Sequence, residues 1–109
     1  MARAAVEAIA DKKGMDIVLL DIRPVSLLAD YFVIASGETE RQIRAIADAV
    51  SERLNEARVT PLRVEGLPAS GWVILDYGSL VVHLFSPAVR DYYQLERLWR
   101  QAILVVRIQ

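Results

Sequence analysis

The spacing of apolar and polar positions divides the 109-residue chain into short segments with two different periods. Residues 16–22 (DIVLLDI) and 30–36 (DYFVIAS) are nearly continuous apolar runs of strand length, the pattern of strands covered on both faces. Residues 72–76 (WVILD) and 80–85 (LVVHLF) are two more, and the short connection Tyr77-Gly78-Ser79 between them predicts a hairpin. Residues 60–65 (TPLRVE) read as a short strand near an edge, because Pro61 has no N–H to give a ladder. Residues 103–108 (ILVVRI) are a candidate last edge strand.

Helical spacing appears in three other places. Residues 2–13 put Val6, Ile9 and Ala10 on one face, and Lys12-Lys13-Gly14 is a suitable end: cations suit the negative helix terminus, and glycine suits a left-handed cap. Thr39 with Gln42 three residues on has the spacing of a capping box. Behind it Ile43, Ile46, Ala47, Val50, Leu54 and Ala57 form an apolar stripe. Ser86-Pro87 opens a third helix, with serine as cap and proline in the first turn, predicted to run to about Arg100. Its packing set is Val89, Tyr92, Leu95, Leu98 and Trp99. The order α-β-β-α-β-β-β-α, with the candidate last strand, predicts one α/β domain over residues 1–109: a mixed sheet of about five strands flanked by helices.

Composition narrows the function. The 13 basic and 14 acidic residues are interspersed and give a net charge of −1, whereas a domain that neutralises many phosphates carries clustered lysine and arginine. Extensive nucleic-acid contact is therefore not expected. With no cysteine there is no disulfide, thiolate metal site or cysteine nucleophile. The start of the chain has the pattern of neither a signal nor a transit peptide, and the apolar run Ile103 to Val106 is too short to span a bilayer. A cytoplasmic protein is expected.

Four candidates for chemistry follow. Ser36-Gly37, between a strand and a capped helix, sits where backbone amides can cradle phosphate, but the flanking residues match no phosphate-binding glycine motif, and a tight turn is the better explanation of the glycine. Paired carboxylates two apart on a strand, as metal-assisted transfer requires, are missing at Asp21, Asp30 and Asp76; Glu38 and Glu40 have the spacing but flank a helix start, where acids are favoured anyway. His83 shares a strand face with Val81 and Phe85, and with no nucleophile indicated it reads as a structural or interface histidine, held by Asp76 or a tyrosine. The aromatic set Trp72, Tyr77, Tyr92, Tyr93 and Trp99, mixed with Arg90 and Glu96, suits a core or a protein-binding hot spot equally. Tyr77 falls in a turn, and turns lie at the surface; the adjacent Tyr92 and Tyr93, about 100° apart on a helix, cannot both point inward.

These blocks resemble the ribosomal silencing factor family, also called Iojap-like. The likeness runs from about Ala5 to Trp99 through DIVLLDIRPVSLLADYFVIASG, ETERQIRAIADAV, VEGLPASGWVILDYGSLVVHLF and VRDYYQLERLW. Most specific is W-x-x-x-D-x-G-x-x-x-x-H-x-F followed by R-x-x-Y-x-L-E-x-L-W. The resemblance implies a nucleotidyltransferase-like fold without the catalytic carboxylates, and no enzymatic role or cofactor. It implies docking on the large ribosomal subunit through ribosomal protein number fourteen, which blocks the small subunit and lowers translation when nutrients are scarce. It also implies a homodimer when free. Carried onto this chain, the partner-binding residues are Asp21, Asp30, Trp72, Asp76, Tyr77, His83, Arg90, Tyr93, Glu96 and Trp99, with Leu95 in the same helix motif; Trp72 and Leu95 are the expected core members. A nucleotidyltransferase-like nucleotide-binding enzyme with an atypical site is the alternative.

Overall fold

The computed structural model describes residues 1–95 and 102–109. The elements are α1 (Ala2–Asp11), β1 (Met15–Asp21), β2 (Tyr31–Ser36), α2 (Glu40–Glu56), β3 (Arg63–Glu65), a 3-10 turn (Pro68–Ser70), β4 (Trp72–Asp76), β5 (Leu80–Phe85), α3 (Pro87–Tyr93) and β6 (Ile103–Ile108). The strands form one six-stranded sheet in the order β3-β4-β5-β2-β1-β6. β2 and β5 are parallel, and every other neighbouring pair is antiparallel. The mixed α/β sheet is as expected, with one strand more than the five anticipated: residues 103–108 do pair, outside β1.

Strand alternation sorts the side chains onto two faces. One face carries Ile17, Leu19, Val33, Ala35, Val73, Leu75, Leu80, Val82 and Leu84, and packs beneath α1 (Ala5, Val6, Ala8, Ile9) and α2 (Ile43, Ile46, Val50, Leu54). The opposite face carries Val18, Leu20, Ile34 and Phe85, with Phe32, Trp72 and Val81 partly buried beside them. Among the described residues, α3, through Val89 and the Tyr93 ring on Trp72, and the flanking residues Ile22, Val25, Ala29, Leu95 and Ala102 pack on that second face.

The helix ends depart from expectation in instructive ways. α1 stops at Asp11, and Lys13 (φ 64), not Gly14, takes the left-handed conformation. At α2 the Thr39 hydroxyl accepts from the Gln42 amide at 3.0 Å, as a cap should. The Gln42 side chain does not close the box, however. It accepts from the Glu38 amide (2.6 Å) and donates to the Lys12 and Lys13 carbonyls (3.2 and 3.0 Å), clamping the end of α1 to the start of α2. Ala57, expected on the apolar stripe, is exposed at the α2 C-cap. The Ser86 cap and Pro87 start of α3 are present, but the helix ends at Gln94, which takes a left-handed conformation (φ 47). With only seven residues, α3 reaches the sheet through Val89 and Tyr93 and leaves Tyr92 81% exposed, outside the packing set expected for it. The predicted continuation to Arg100, with Leu98, lies outside the described residues.

Candidate functional site

The open face of the sheet concentrates rings. The Trp72 indole lies with its centroid 4.8 Å from Phe85, 4.9 Å from Tyr93 and 6.0 Å from His83. Phe32 meets His83 at 4.7 Å, and Tyr92 meets Tyr93 edge-on at 5.0 Å. The rings thus form a chain from β2 across β5 and β4 to exposed α3. Beside it is a groove of about 600 Å³, whose lining includes Gly66, Trp72, Ile74, Val89, Tyr92 and Tyr93. Gly66 shapes one wall. Its φ is +83°, and a Cβ there would meet the Trp72 carbonyl oxygen at 2.1 Å, so only glycine lets that backbone approach β4.

His83 sits behind this surface, 6% exposed. The Trp72 indole N–H donates to His83 Nδ1 at 3.2 Å, so the partner is Trp72 and not the Asp76 or tyrosine expected from sequence. Burial lowers the imidazole pKa from 6.5 to about 4, against the opposing pull of Asp76. The neutral ring carries its proton on Nε2, which is enclosed without a hydrogen-bond partner among the described residues.

Three of the expected aspartates line one end of the sheet, where Asp21 pairs with Tyr31, Tyr31 with Leu80, and Asp76 with Val81. Asp21 is buried and takes two side-chain hydrogen bonds from Arg23, at 2.9 and 2.6 Å, and one from its amide. These bonds from Arg23 hold the Asp21 carboxyl below its usual range. Arg23 also lies over the Tyr31 ring, 5.3 Å from its centroid. Asp30 is exposed, and its amide donates to the Ser79 carbonyl, tying the β1–β2 loop to the β4–β5 turn. Asp76 accepts from the Gly78 amide at 2.8 Å and from Arg63 at 3.4 Å, so it shapes the hairpin.

Two expected members lie elsewhere. Tyr77 is 8% exposed and belongs to the helix-covered core. The turn closes after it, by the bond from the Tyr77 amide to the Leu80 carbonyl, so Tyr77 continues the inward alternation of Val73 and Leu75. Its hydroxyl is enclosed and its pKa raised by burial; Ser51 is the polar group beside it, without the geometry of a hydrogen bond. Arg90 lies at the opposite end of the sheet and donates to the buried Ser36 hydroxyl at 3.0 Å, in a cleft of about 510 Å³ that also presents Asp16, Glu38 and Asp91. Gly37 in the adjacent turn is explained by packing: a Cβ would meet Ile43 Cγ1 at 2.8 Å. Glu96 and Trp99 lie outside the described residues. Of the two expected core members, Trp72 and Leu95, both are half-buried.

Two features lie outside the sequence expectations: Phe32, which alternation with Ile34 places on the open face, and the pair Leu27-Leu28, 103% and 93% exposed in the β1–β2 loop. The signal for the leucines was an apolar pair that neither flanking strand accounts for.

The model of a family described as ribosomal silencing factor during starvation matches residues 1–109. The chain belongs to the ribosomal silencing factor family. A ribosomal silencing factor of Zymomonas mobilis is 38% identical over 99 residues, covering 91% of this chain and 74% of that protein. A crystal structure of a Chromobacterium violaceum protein superposes with a TM-score of 0.86 at 42% identity, covering 90% of this chain and 82% of the other. A more distant relative from mouse, named for mitochondrial assembly of the ribosomal large subunit, is 33% identical over 97 residues; these cover 86% of this chain and 42% of the mouse protein. Membership in this family carries a regulatory role in translation and an association with ribosomes.

Proposed function

We propose that this silencing-factor chain docks on the large ribosomal subunit through ribosomal protein number fourteen. There it covers the face that meets the small subunit, and so represses translation under nutrient limitation. The observation that supports this most is the groove over Trp72 and Tyr93: a concave aromatic surface of the type that anchors protein interfaces, on a sheet face that α3 covers only in part. Trp72 and Tyr93 are the anchors. Asp30 and Asp76 supply acidic groups at the end of the sheet away from Trp72, which suit a basic ribosomal protein, with Asp21 holding Arg23 in place beside them. Arg90 is a further contact on α3, beside the Ser36 cleft, and Tyr77 supports the sheet from the core, while the motif residues Glu96 and Trp99 lie outside the described residues. The net charge of −1 fits docking on protein with little direct RNA contact.

The action is steric occlusion in the cytoplasm, with no bond made or broken and no cofactor. When not on the subunit the chain is a homodimer, for which β6 offers an apolar strand with one unpaired edge. A nucleotide-binding enzyme has no comparable support: the Ser36 hydroxyl is engaged by Arg90, and Asp16, Glu38 and Asp91 in that cleft would repel phosphate.

The test is co-sedimentation with purified large subunits, alone and with small subunits added. Binding to free large subunits, together with exclusion from joined ribosomes, supports the proposal. Failure to bind large subunits, or equal presence on joined ribosomes, refutes it.

A further inference from the structure

His83 is an uneconomical choice for packing alone. Its Nε2–H is enclosed without an acceptor among the described residues, whereas an apolar ring at the same position would leave no polar group to satisfy. Across the ladders its partners are Ile34 on β2 and Ile74 on β4, and Phe32 and Phe85 lie against its ring. Among the described residues the charged group that acts on it is Asp76. Among the described residues the imidazole makes one polar contact, the 3.2 Å bond that Nδ1 accepts from the Trp72 indole. An indole N–H donates and cannot accept, so this bond fixes both the histidine tautomer and the rotation of the Trp72 ring. That ring forms part of the wall of the aromatic groove and contacts Tyr93.

We propose that His83 is a positioning residue for the docking surface: it touches no partner itself, and its Nδ1 holds the Trp72 indole in the orientation that builds the groove. This rests on the docking reading above. A surface whose anchor is pre-oriented loses less side-chain freedom on binding, and affinity gains accordingly.

The experiment compares the full-length chain with His83→Phe and His83→Asn in titrations against purified large ribosomal subunits, and follows the Trp72 indole N–H resonance of each free variant. Phenylalanine keeps the ring and removes the acceptor, while the asparagine side-chain oxygen can take the place of Nδ1. The Phe variant is expected to shift the Trp72 resonance and to bind about tenfold more weakly. The Asn variant is expected to restore both the resonance and the affinity. A merely structural histidine would alter melting temperatures and leave the affinity of the folded chain unchanged. Wild-type affinity in folded His83→Phe overturns the assignment, as does an Asn variant that restores the resonance and not the affinity. Should His83→Phe fail to fold, the Asn variant alone decides by whether resonance and affinity stay together. If the wild-type chain binds no large subunit, it is the docking reading itself that falls.

Discussion

The two faces of the sheet are built from different side chains. The face under α1 and α2 is aliphatic except for Tyr77 and Tyr31: Ile17, Val33, Leu75, Leu80, Val82 and Leu84 are at most 2% exposed and meet Ile9, Ile43, Ile46 and Leu54. The other face carries Phe32, Trp72, His83 and Phe85 under the short helix α3, and ends in Tyr92 and Tyr93, 81% and 52% exposed. Branched aliphatic side chains interdigitate and exclude water, which is what stability requires. Amphipathic rings tolerate half-exposure and present large rigid areas, which is what recognition requires. The comparison predicts that substitutions on the covered face act on folding and those on the open face act on binding.

The largest effect should come from Leu80→Ala on the covered face. Leu80 is 0% exposed, and truncating a fully buried leucine costs about 2–5 kcal/mol of stability. Urea unfolding should show that loss, while the fraction that remains folded keeps its affinity for large subunits. Weakened binding by the folded protein would break the division between the faces.

Next is the pH dependence carried by His83. The unfolded chain takes up a proton near pH 6.5 and the folded chain only near pH 4, so between these values the unfolded state holds more protons. Stability therefore falls as pH decreases from 6.5 to 4, by about 3 kcal/mol in all, and this contribution stays level below that range. Asp21 adds a loss of the same sign, because the bonds from Arg23 that lower its pKa weaken when it protonates. Unfolding curves at several pH values for wild type and His83→Phe separate the two: the histidine component must vanish in the variant.

Smaller in free energy, and opposite in kind, is Tyr93→Ala. Its ring rests on Trp72 and is half-exposed, so its loss should change stability little and weaken large-subunit binding by about 1–2 kcal/mol. Measured affinity equal to wild type would remove Tyr93 from the surface and leave the open face without its exposed anchor.

How much of this was legible in sequence depends on whether local rules decided the outcome. Period-two alternation places His83 with Phe85, and apolar continuity marks β1 and β2 as buried strands, without giving their place in the sheet. The same alternation, extended one step past Asp76, turns Tyr77 inward, and the exposed turn begins one residue later than its sequence suggests. The partner of His83 was not legible, because the choice between Asp76 and Trp72 is made by the cross-strand positions of β4 against β5 and by side-chain rotation. The reach of Gln42 to α1 was hidden for a similar reason, since it spans 30 residues to Lys12. The early end of α3 at Gln94 has no glycine or proline to announce it.

The smallest predicted effect concerns what ties the helix layer to itself. Arg53 on α2 reaches Asp11 at 2.9 Å and Glu7 at 3.4 Å on α1, and the two acids are 66% and 61% exposed. Water competes for both partners, long side chains must be ordered to hold them, and salt screens what attraction remains. A double-mutant cycle of Arg53→Gln with Asp11→Asn should therefore give a coupling of about 0.5 kcal/mol or less, diminishing further at high salt. The packing of Ile9 against Ile46 and Val50 beneath these charges would then carry the covered face. A coupling of 2 kcal/mol or more, on the order found for buried charge-assisted bonds, would mean that the covered face depends on ion pairs as well as aliphatic packing, and the contrast between the two faces would have to be redrawn.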